Sequence, residues 1–406
     1  MSTIFIQIAS YRDPELVPTI IDCLDKAAHP ENLRFGICRQ YHDEDKFDRL
    51  DQWRSDSRFQ ILDVICTESG GMCWARAKIQ ELYNDETYTM QLDSHHRFAR
   101  NWDAHLINDL NQTGSSRPLI TGYLGGYRSD SPNPIPEPYN STQITARRFA
   151  PPGTISLGSL PLSGTDYWPA RFVSGHFFFT IGQHVKDYAY DPDLYFAGDE
   201  ISLSIRSYTL GYDLYHPPKF VVWHEYQTYP RPKHWQDHGG RQTGHTWYER
   251  DTYSKQRVRQ LLGVENNNID LGCYGLGSVR SHADYEAYAG IDFASRRIHP
   301  NTLLGHRPPL LTVDDKSWLE NLFQHSLDLK PIVDALDSEQ VVEYEINYCV
   351  GNEVLNSKTF PKYEFVHQLS FWNWFSFYTK VKPDRIQALA KLSDESVRTF
   401  DIGLNA

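Results

Sequence analysis

Met90-Gln91-Leu92-Asp93-Ser94-His95-His96-Arg97-Phe98 ends a predicted buried strand with an Asp-x-His pair. Residues two apart on an extended chain point to the same side, so Asp93 and His95 can bind one divalent cation. A carboxylate oxygen with an imidazole nitrogen suits Mn²⁺-like ions better than Ca²⁺, which prefers oxygen ligands. An isolated pair of this kind is more often a turn cap beside a solvent-facing histidine, so its context decides.

Predicted strands and helices alternate on both sides of this run. Apolar runs predict strands at 3–10, 34–39, 59–64, 88–92, 119–123, 171–181 and 219–223. Helical periodicity predicts helices at 15–27, 43–53, 74–83, 102–111, 199–209, 252–262 and 282–288, the first with Asp13-Pro14 as N-cap and N1. This order predicts an α/β fold with a parallel or mostly parallel sheet. Ligands bind beyond the carboxyl ends of such strands, so Ser10-Tyr11-Arg12 and Asp93-Ser94-His95 should share one crevice.

The length of 406 residues predicts two domains, which we place at 1–305 and 306–406. Residues 341–350 and 363–379 alternate polar and apolar side chains, so the second domain is predicted to be a small, mainly β module. Its aromatic residues Trp372, Trp374 and Phe375 fit a half-buried sheet face better than a sugar-binding platform. Residues 129–170 contain eight prolines and little periodicity, which predicts a long functional or disordered loop.

Composition and charge exclude some functions. The net charge of −12 argues against nucleic acid or an anionic membrane as a partner, and a phosphorylated substrate would need local neutralisation, as by a metal ion. The six cysteines show no C-x-x-C spacing, which favours reduced core thiols in a cytoplasmic protein over a zinc site or disulfides. The N-terminus does not resemble a secretory signal, and no apolar stretch is long enough to be a transmembrane segment.

Two further patterns contain arginines that could meet phosphates. Arg12 follows the first strand, although an arginine there is more often in a surface ion pair. Gly70-Gly71 precedes a predicted helix with Arg76 in its first turn. Glycine turns and helix N-termini bind phosphate oxygens through free N–H groups, and an ordinary loop-to-helix transition explains this pattern equally well.

Two more patterns could complete the site. His224 follows a short apolar strand, as His95 does, and could supply a third metal ligand. Gly175, beside His176, would let a ligand approach the backbone. Asp199 and Glu200 begin a predicted helix, where acidic residues either contact a ligand hydroxyl or only stabilise the helix dipole.

Together, several motifs resemble glycosyltransferase family 60, over about residues 3–295. They are Ser10-Tyr11-Arg12-Asp13, Ala75-Arg76, the 92–98 run, Phe196-Ala-Gly-Asp199-Glu200-Ile-x-Leu-Ser-x-Arg206, Gly211-Tyr212-Asp213 and Gly275-Leu-Gly277-Ser-x-Arg280. That family includes polypeptide α-N-acetylglucosaminyltransferases that act on hydroxyproline or on Ser/Thr. The Asp-Ser-His triplet is also similar to that of mucin-type N-acetylgalactosaminyltransferases, in which a later histidine completes a manganese site.

The resemblance implies a GT-A fold and a role for each matching residue. It implies that Mn²⁺ (or Mg²⁺) is held by Asp93, His95 and His224. It implies that the UDP-sugar donor faces Ser10, Tyr11, Arg12, Arg76, Asp93, Ser94, Gly175 and Arg280, with Arg280 on a loop that could close over the diphosphate. It implies catalytic positions at His176, Asp199 and Glu200.

The activity so implied is retaining transfer of N-acetylglucosamine, or a related N-acetylhexosamine, from a UDP-sugar to a hydroxyl of a polypeptide or glycan acceptor. Two alternatives stay open. A metal-dependent phosphoesterase would need a second set of ligands for a second ion. A non-catalytic protein could bind a sugar nucleotide or glycan without turning it over.

Overall fold

The structure is a computed structural model. It describes residues 2–130, 139–149, 154–162, 164–227, 231–240, 244–309, 311–320, 323–328, 330–363, 365, 374–379 and 381–404. The chain divides into two compact units, Met1–Val313 and Asp314–Ala406. No helix within these described ranges is both long enough and apolar enough to cross a bilayer.

The first unit is built on an eight-stranded mixed sheet. Its strands run in the order β11-β13-β6-β12-β4-β1-β2-β3. The bounds are β1 (Ile4–Tyr11), β2 (Leu33–Tyr41), β3 (Phe59–Ile65), β4 (Tyr88–Asp93), β6 (Pro118–Thr121), β11 (Trp168–Pro169), β12 (Phe177–Ile181) and β13 (Asp213–His216). Strands β1 to β4 are mutually parallel where they pair, whereas β12 runs antiparallel to both β4 and β6. The predicted α/β class is confirmed, with a mixed rather than wholly parallel sheet.

Short strands outside this sheet complete the first unit. They are β5 (His96–Phe98), β7 (Gly125–Gly126), β8 (Tyr139–Asn140), β9 (Thr142–Phe149), β10 (Ile155–Pro161), β14 (Lys219–Phe220), β15 (Val222–His224), β16 (Ile291–Asp292) and β17 (Arg297–Ile298). Three of them, in the order β5-β15-β7, form a small sheet. The predicted strand 219–223 is therefore two short strands, β14 and β15.

Helices such as α1 (Leu16–Lys26) and α2 (Met72–Gln80) pack on the main sheet. The others in this unit are α3 (Trp102–Gln112), α4 (Gln183–Asp187), α5 (Asp199–Thr209), α6 (His234–Asp237), α7 (Trp247–Leu261), α8 (His282–Ala289) and α9 (Pro300–Leu303). Alternate residues of β1 point to opposite faces: Ile6 packs in the cluster that contains Leu16 of α1, whereas Phe5 packs with Ile79 of α2. Burial on both faces explains the nearly continuous apolar sequence of β1.

The helix predicted at 43–53 is absent, and only a 3₁₀ turn forms at Asp51–Trp53. Acidic side chains from this segment are instead paired with arginines of neighbouring strands. Asp48 is fully buried and its Oδ1 lies 2.7 Å from Nη2 of Arg39, while Asp45 pairs with Arg12. Tertiary ion pairs thus hold these acidic side chains in a segment that is not helical.

The long loop predicted at 129–170 is partly wrong, because this segment contains the antiparallel pair β9 and β10, which includes a bulge between Ser156 and Leu157. Six of its eight prolines lie outside the described residues. Of the other two, Pro161 ends β10 and Pro169 lies in the edge strand β11. Proline is tolerated at such positions because no ladder N–H is needed there.

The strand predicted at 171–181 begins only at Phe177. Upstream of it, backbone N–H groups bond to side chains rather than to a neighbouring strand. The Val173 N–H donates to Ser204 Oγ at 2.8 Å, and the Ser174 N–H donates to Thr121 Oγ1 at 2.9 Å. Side chains of α5 and β6 thus hold the irregular segment that precedes β12.

The second unit is mainly β, as predicted. It contains β18 (Phe323–Asp328), β19 (Val341–Val350), β20 (Glu353–Pro361), β21 (Trp374–Thr379), β22 (Arg385–Leu392) and β23 (Val397–Gly403), with helices α10 (Ser317–Glu320) and α11 (Lys330–Leu336). Four strands form an antiparallel sheet, β20-β19-β22-β23, over a core that includes Tyr344, Ile346 and Ile386. Trp372 lies outside the described residues, so the interpretation of the 372–375 aromatics stays a prediction.

Candidate active site

The carboxyl ends of the neighbouring strands β1 and β4 lie side by side in the main sheet. Ala9 is in register with Asp93. Just beyond β1, Arg12 has φ of 48°, in the left-handed region that non-glycine residues seldom adopt. This turn directs the following Asp13 back towards the end of β4, where Ser94 Oγ donates to Asp13 Oδ2 at 2.6 Å.

His224 joins these residues through the small sheet. Strand β15 pairs antiparallel with β5, so that His224 is in register with His96, and the Glu225 N–H donates to the His95 carbonyl at 3.1 Å. The ring of His96 reinforces the contact, because its Nδ1–H donates to the Trp223 carbonyl at 3.0 Å and its Nε2 accepts from the Asp93 N–H. Two segments separated by about 130 positions in the chain are thereby fixed together.

Asp93, His95 and His224 converge on one point. Oδ2 of Asp93 lies 3.5 Å from Nε2 of His224 and 3.8 Å from Nε2 of His95. One ligating atom from each residue lies within 4.8 Å of the others, and no second group of this kind was found among the described residues. An oxygen and two imidazole nitrogens make a donor set for Mn²⁺ or a similar ion.

The state of His224 fits such an ion. Its side chain is 9% exposed, and neither ring nitrogen has a hydrogen-bond partner among the described residues. Buried polar atoms are nearly always hydrogen-bonded, so orphaned ring nitrogens facing a carboxylate need an explanation. Burial lowers the pKa of His224, which favours the neutral imidazole that metals bind.

Arg76, on α2, lies beneath this cluster. Its guanidinium is 1% exposed and contacts both Asp93 Oδ1 at 3.0 Å and Asp199 Oδ2 at 2.8 Å. It also donates to the Gly175 carbonyl at 2.6 Å. Burial alone would raise the pKa of Asp93, but Arg76 and the two histidines outweigh it and hold that pKa well below its ordinary value. Arg76 therefore holds Asp93 in place. The sequence predicts that Arg76 contacts a phosphate, but it is not among the residues that line the cavity of this site.

Asp199 and Glu200, at the start of α5, take different partners. Asp199 is buried against Arg76, and burial raises its pKa. Glu200 accepts hydrogen bonds from the Gly175 N–H at 2.9 Å and from the Tyr123 hydroxyl at 2.6 Å. Burial raises the pKa of Glu200 to about 7.

A side chain at Gly175 would be tightly packed. A Cβ there would lie 3.2 Å from Asp199 Oδ2 and 3.4 Å from Glu200 Cγ. The close approach of both acidic side chains to this backbone explains the glycine.

His176 packs against the group formed by Asp93, His95 and His224, here called the ligand cluster. Its ring centroid is 4.3 Å from that of His224 in a stacked arrangement, and burial holds its pKa well below the ordinary value. Its Nε2 accepts from the Leu124 N–H at 3.3 Å, and its Nδ1 lies 3.0 Å from Ser174 Oγ. Both nitrogens are thus occupied within the protein, which suits a residue that supports His224 better than the catalytic role predicted from the sequence.

A cavity of about 350 Å³ opens above the three ligands. It is lined by Ala9, Tyr11, Asp13, Gln40, Met72, Asp93, Ser94, His95, Phe196, His224, Glu225, Tyr226, Arg231, Pro232, Lys233, His234 and Trp235. Three of its aromatic side chains are well exposed: Phe196 at 63%, Tyr226 at 49% and Trp235 at 44%. Asp93, His95 and His224 therefore form the polar floor of the cavity, and exposed aromatic side chains form its rim.

Of Ser10, Tyr11 and Arg12, which are predicted to face the donor, only Tyr11 lines this cavity. Its hydroxyl donates to Asp237 Oδ2 at 2.7 Å. Arg12 is paired with Asp45 and Asp237, at 2.7 and 3.0 Å. Ser10 is fully buried behind the strand end.

Arg280 lies away from these residues. Its guanidinium pairs with Asp213, donates to the Tyr212 carbonyl at 2.9 Å, and lines a different cavity that contains Tyr208 and Tyr288. In this arrangement it tethers its loop to the end of α5. The geometry does not support the predicted contact with a diphosphate.

Other residues of the site were not identified from the sequence. The sequence predicts Asp13 as the N-cap of the first helix, but the N-cap is Glu15 and no side chain caps it. One oxygen of Asp13 accepts the Glu15 N–H, and the other binds His95. The segment after His224 adds Arg231, which donates to Asp13 Oδ2 at 3.2 Å. Tyr123 holds Glu200. No local spacing marks these residues, because their partners come from distant segments.

The sequence matches a known family, and the fold is similar to that of a solved structure. The family model described as Glycosyltransferase (GlcNAc) matches residues 3–58 and 46–295. Among curated proteins, none matches the sequence.

A solved structure has a similar fold. A crystal structure of GalNAc-T7 with UDP, GalNAc and Mn²⁺ aligns with all of this chain and 72% of its own, with a TM-score of 0.50 and 14% sequence identity. The structure of S. aureus TarS residues 1–349 aligns over 55% of this chain and 60% of its own, with a TM-score of 0.38 and 10% identity. Its complex with UDP-GlcNAc aligns over 57% and 60%, with a TM-score of 0.38 and 9% identity.

The architecture is that of GT-A glycosyltransferases, as the sequence predicts. The family model covers nearly all of the first unit, including Asp93, His95 and His224. The chain belongs to the Glycosyltransferase (GlcNAc) family.

Proposed function

We propose that this protein is a metal-dependent retaining glycosyltransferase that moves N-acetylglucosamine, or a related N-acetylhexosamine, from a UDP-sugar to a hydroxyl. The observation that carries the proposal is the convergence of Asp93, His95 and His224 on one point of a cavity at the end of β4. Family membership supports the sugar transfer, and the GalNAc-T7 structure contains UDP and Mn²⁺.

Asp93, His95 and His224 would hold Mn²⁺ or Mg²⁺. A bound ion of this kind stabilises, as a Lewis acid, the negative charge on a departing diphosphate. Arg76 keeps Oδ1 of Asp93 occupied, so that Oδ2 faces the histidines. The exposed aromatic rim formed by Phe196, Tyr226 and Trp235 would receive the acceptor, a polypeptide Ser, Thr or hydroxyproline or a glycan hydroxyl.

In the proposed reaction, the bond between the sugar C1 and the phosphate oxygen breaks, and the acceptor oxygen bonds to C1 on the same face. The acceptor proton passes to a phosphate oxygen of the leaving UDP, so no dedicated base is needed. The resemblance to family 60 is the reason for proposing retention. The proposal keeps Glu200 as a residue near the sugar, although its oxygens accept hydrogen bonds from the Gly175 N–H and the Tyr123 hydroxyl and it does not line the cavity.

The proposal includes the division of the chain into a catalytic domain at 1–305 and an accessory module at 306–406. It also includes a cytoplasmic location. All six cysteines are free thiols and five of them are buried, which fits a reducing compartment.

Calorimetric titration of UDP, with and without Mn²⁺, tests the metal-dependent donor site. We expect markedly tighter binding with Mn²⁺. Equal affinity in both conditions, or no binding, would end the proposed mechanism. A screen of UDP- and GDP-sugars, followed by release of free nucleotide, would then identify the donor.

The two alternatives have separate tests. A two-metal phosphoesterase needs more ligands than the single three-residue group found among the described residues, so two ions per chain by elemental analysis would favour it. A non-catalytic sugar-nucleotide-binding protein would release no free sugar from the donor, even over a long incubation.

A further inference from the structure

The carboxylate of Asp13, next to Asp93, His95 and His224, has four polar partners. Oδ2 of Asp13 accepts from Ser94 Oγ at 2.6 Å and from Arg231 Nη1 at 3.2 Å, and it lies 2.7 Å from Nδ1 of His95. Its other oxygen accepts the Glu15 N–H at 2.9 Å. The side chain is 4% exposed, so these groups take the place of water around it.

The contact with His95 decides which ring nitrogen bears the proton. A carboxylate accepts hydrogen bonds and does not donate them, so the contact at 2.7 Å requires a proton on Nδ1. In the neutral ring Nε2 then has a free lone pair, and this is the nitrogen that lies 3.8 Å from Asp93 Oδ2. Metal-binding histidines commonly donate their second N–H to a carboxylate in this way, which fixes the ring and increases its basicity.

We propose that Asp13 is a positioning residue that fixes the tautomer and orientation of His95 for a divalent cation. The inference rests on the proposed function, because it assumes that the cluster binds a metal. Arg231 extends the arrangement, since it also donates to the Glu225 carbonyl at 3.4 Å and to Gln227. Asp13 therefore connects the end of β1, the Asp-Ser-His triplet and the segment that follows the third ligand.

The test uses the full chain and Mn²⁺ alone, with free Mn²⁺ counted from its electron paramagnetic resonance signal. Asp13→Asn should weaken Mn²⁺ binding by about 10–100-fold, the usual effect of removing a partner of a metal-bound histidine. Asp45→Asn is the matched control. Asp45 is also a largely buried carboxylate paired with an arginine, 10% exposed, but it contacts no ligand residue. Its Mn²⁺ affinity should stay within about twofold of the wild type.

The outcomes separate the two hypotheses. If the wild type binds no Mn²⁺, the proposed function and the role of Asp13 both fail. If the wild type binds and folded Asp13→Asn binds equally well, only the role of Asp13 fails. Equal losses in both variants would assign Asp13 to general stability and would also overturn the inference.

A measurement on the wild type covers the case in which Asp13→Asn does not fold. Histidine ring nitrogens can be labelled with ¹⁵N, and His95 assigned by the loss of its signals in His95→Gln. In metal-free protein at mildly alkaline pH, we expect His95 to have a protonated Nδ1 and an unprotonated Nε2. The opposite tautomer would refute the proposed contact.

Discussion

The guanidinium of Arg76 donates to Oδ1 of Asp93 at 3.0 Å, and this leaves Oδ2 facing the two histidines. The same guanidinium neutralises Asp199 from its other side, at 2.8 Å. One buried cation thus compensates two carboxylates that would otherwise repel each other at the edge of the sheet. Because a charge that is 1% exposed is stable only with its partners, this group is as important for folding as for the site.

Arg76→Met should therefore destabilise the protein strongly. Removal of one partner of a buried ion pair typically costs about 3–5 kcal/mol, and here two carboxylates lose their cation. Denaturant unfolding would measure the loss. Lys78→Met is the control on the same helix: Lys78 pairs with Glu81 in solvent, at 44% and 64% exposure, so its loss should cost less than about 1 kcal/mol. Equal effects of the two substitutions would contradict a buried role for Arg76.

His224→Leu should separate metal binding from stability. The ring nitrogens make no hydrogen bond among the described residues, and the one polar contact, between Nε2 and Asp93 Oδ2, is long at 3.5 Å. Removal of the imidazole leaves Asp93 still paired with Arg76, so it should cost little. We expect the thermal midpoint of the metal-free protein to change little, whereas Mn²⁺ affinity should fall by more than the ~100-fold upper range for outer partners. Thermal unfolding with EDTA and with Mn²⁺ measures both effects. A large loss of stability in EDTA would contradict the assignment.

Glu200 should make stability depend on pH. Its pKa in the folded protein is about 7, raised by burial from an ordinary value of 4.5. Between these values the folded state binds more protons than the unfolded state, so the contribution of Glu200 to stability falls as pH rises from 4.5 to about 7. Glu200→Gln should remove this component from the free energy of unfolding measured across that range. Glu81→Gln, at an exposed position, should leave the wild-type dependence unchanged.

Trp235 should contribute to acceptor binding. Trp235→Ala removes an aromatic side chain from the rim, and the KM for the acceptor should rise roughly threefold to tenfold, since such contacts contribute about 0.5–1.5 kcal/mol. The KM for the donor should not change. Trp247→Ala is a close control, because Trp247 is 36% exposed at the start of α7 and does not line the cavity. A rise in donor KM alone would place Trp235 in the nucleotide site instead.

Much of the main sheet could be predicted because its signals are local. Strand β1 is apolar and short, and helix α5 was predicted at Asp199–Thr209 with its observed bounds. The sequence also predicts that Asp93 and His95 lie on one side, from the period of two of an extended chain. The structure brings the two side chains to 3.8 Å, but through a bend at Ser94 rather than along a continuous strand.

The remaining features depend on contacts between distant segments. Sequence alone does not reveal that β15 pairs with β5, the contact that brings His224 to His95. It also does not show that Asp45 pairs with Arg12 and Asp48 with Arg39, in a segment predicted to be helical. Arginine and acidic side chains can form ion pairs with many different residues. Which partner each one takes therefore depends on the tertiary structure.

The direction of β12 has a consequence for how this protein can change over evolution. Thr121, the last residue of β6, is in register with Phe178 of β12, so the chain between them leaves and re-enters the sheet at the same end of these two strands. Exposed turns within such a connection can gain or lose length at small entropic cost, whereas the sheet-paired strand β11 within it cannot. A change of length in an exposed turn there would leave the register of β6 and β12 unaltered, so this connection offers a place for sequence variation close to the proposed site.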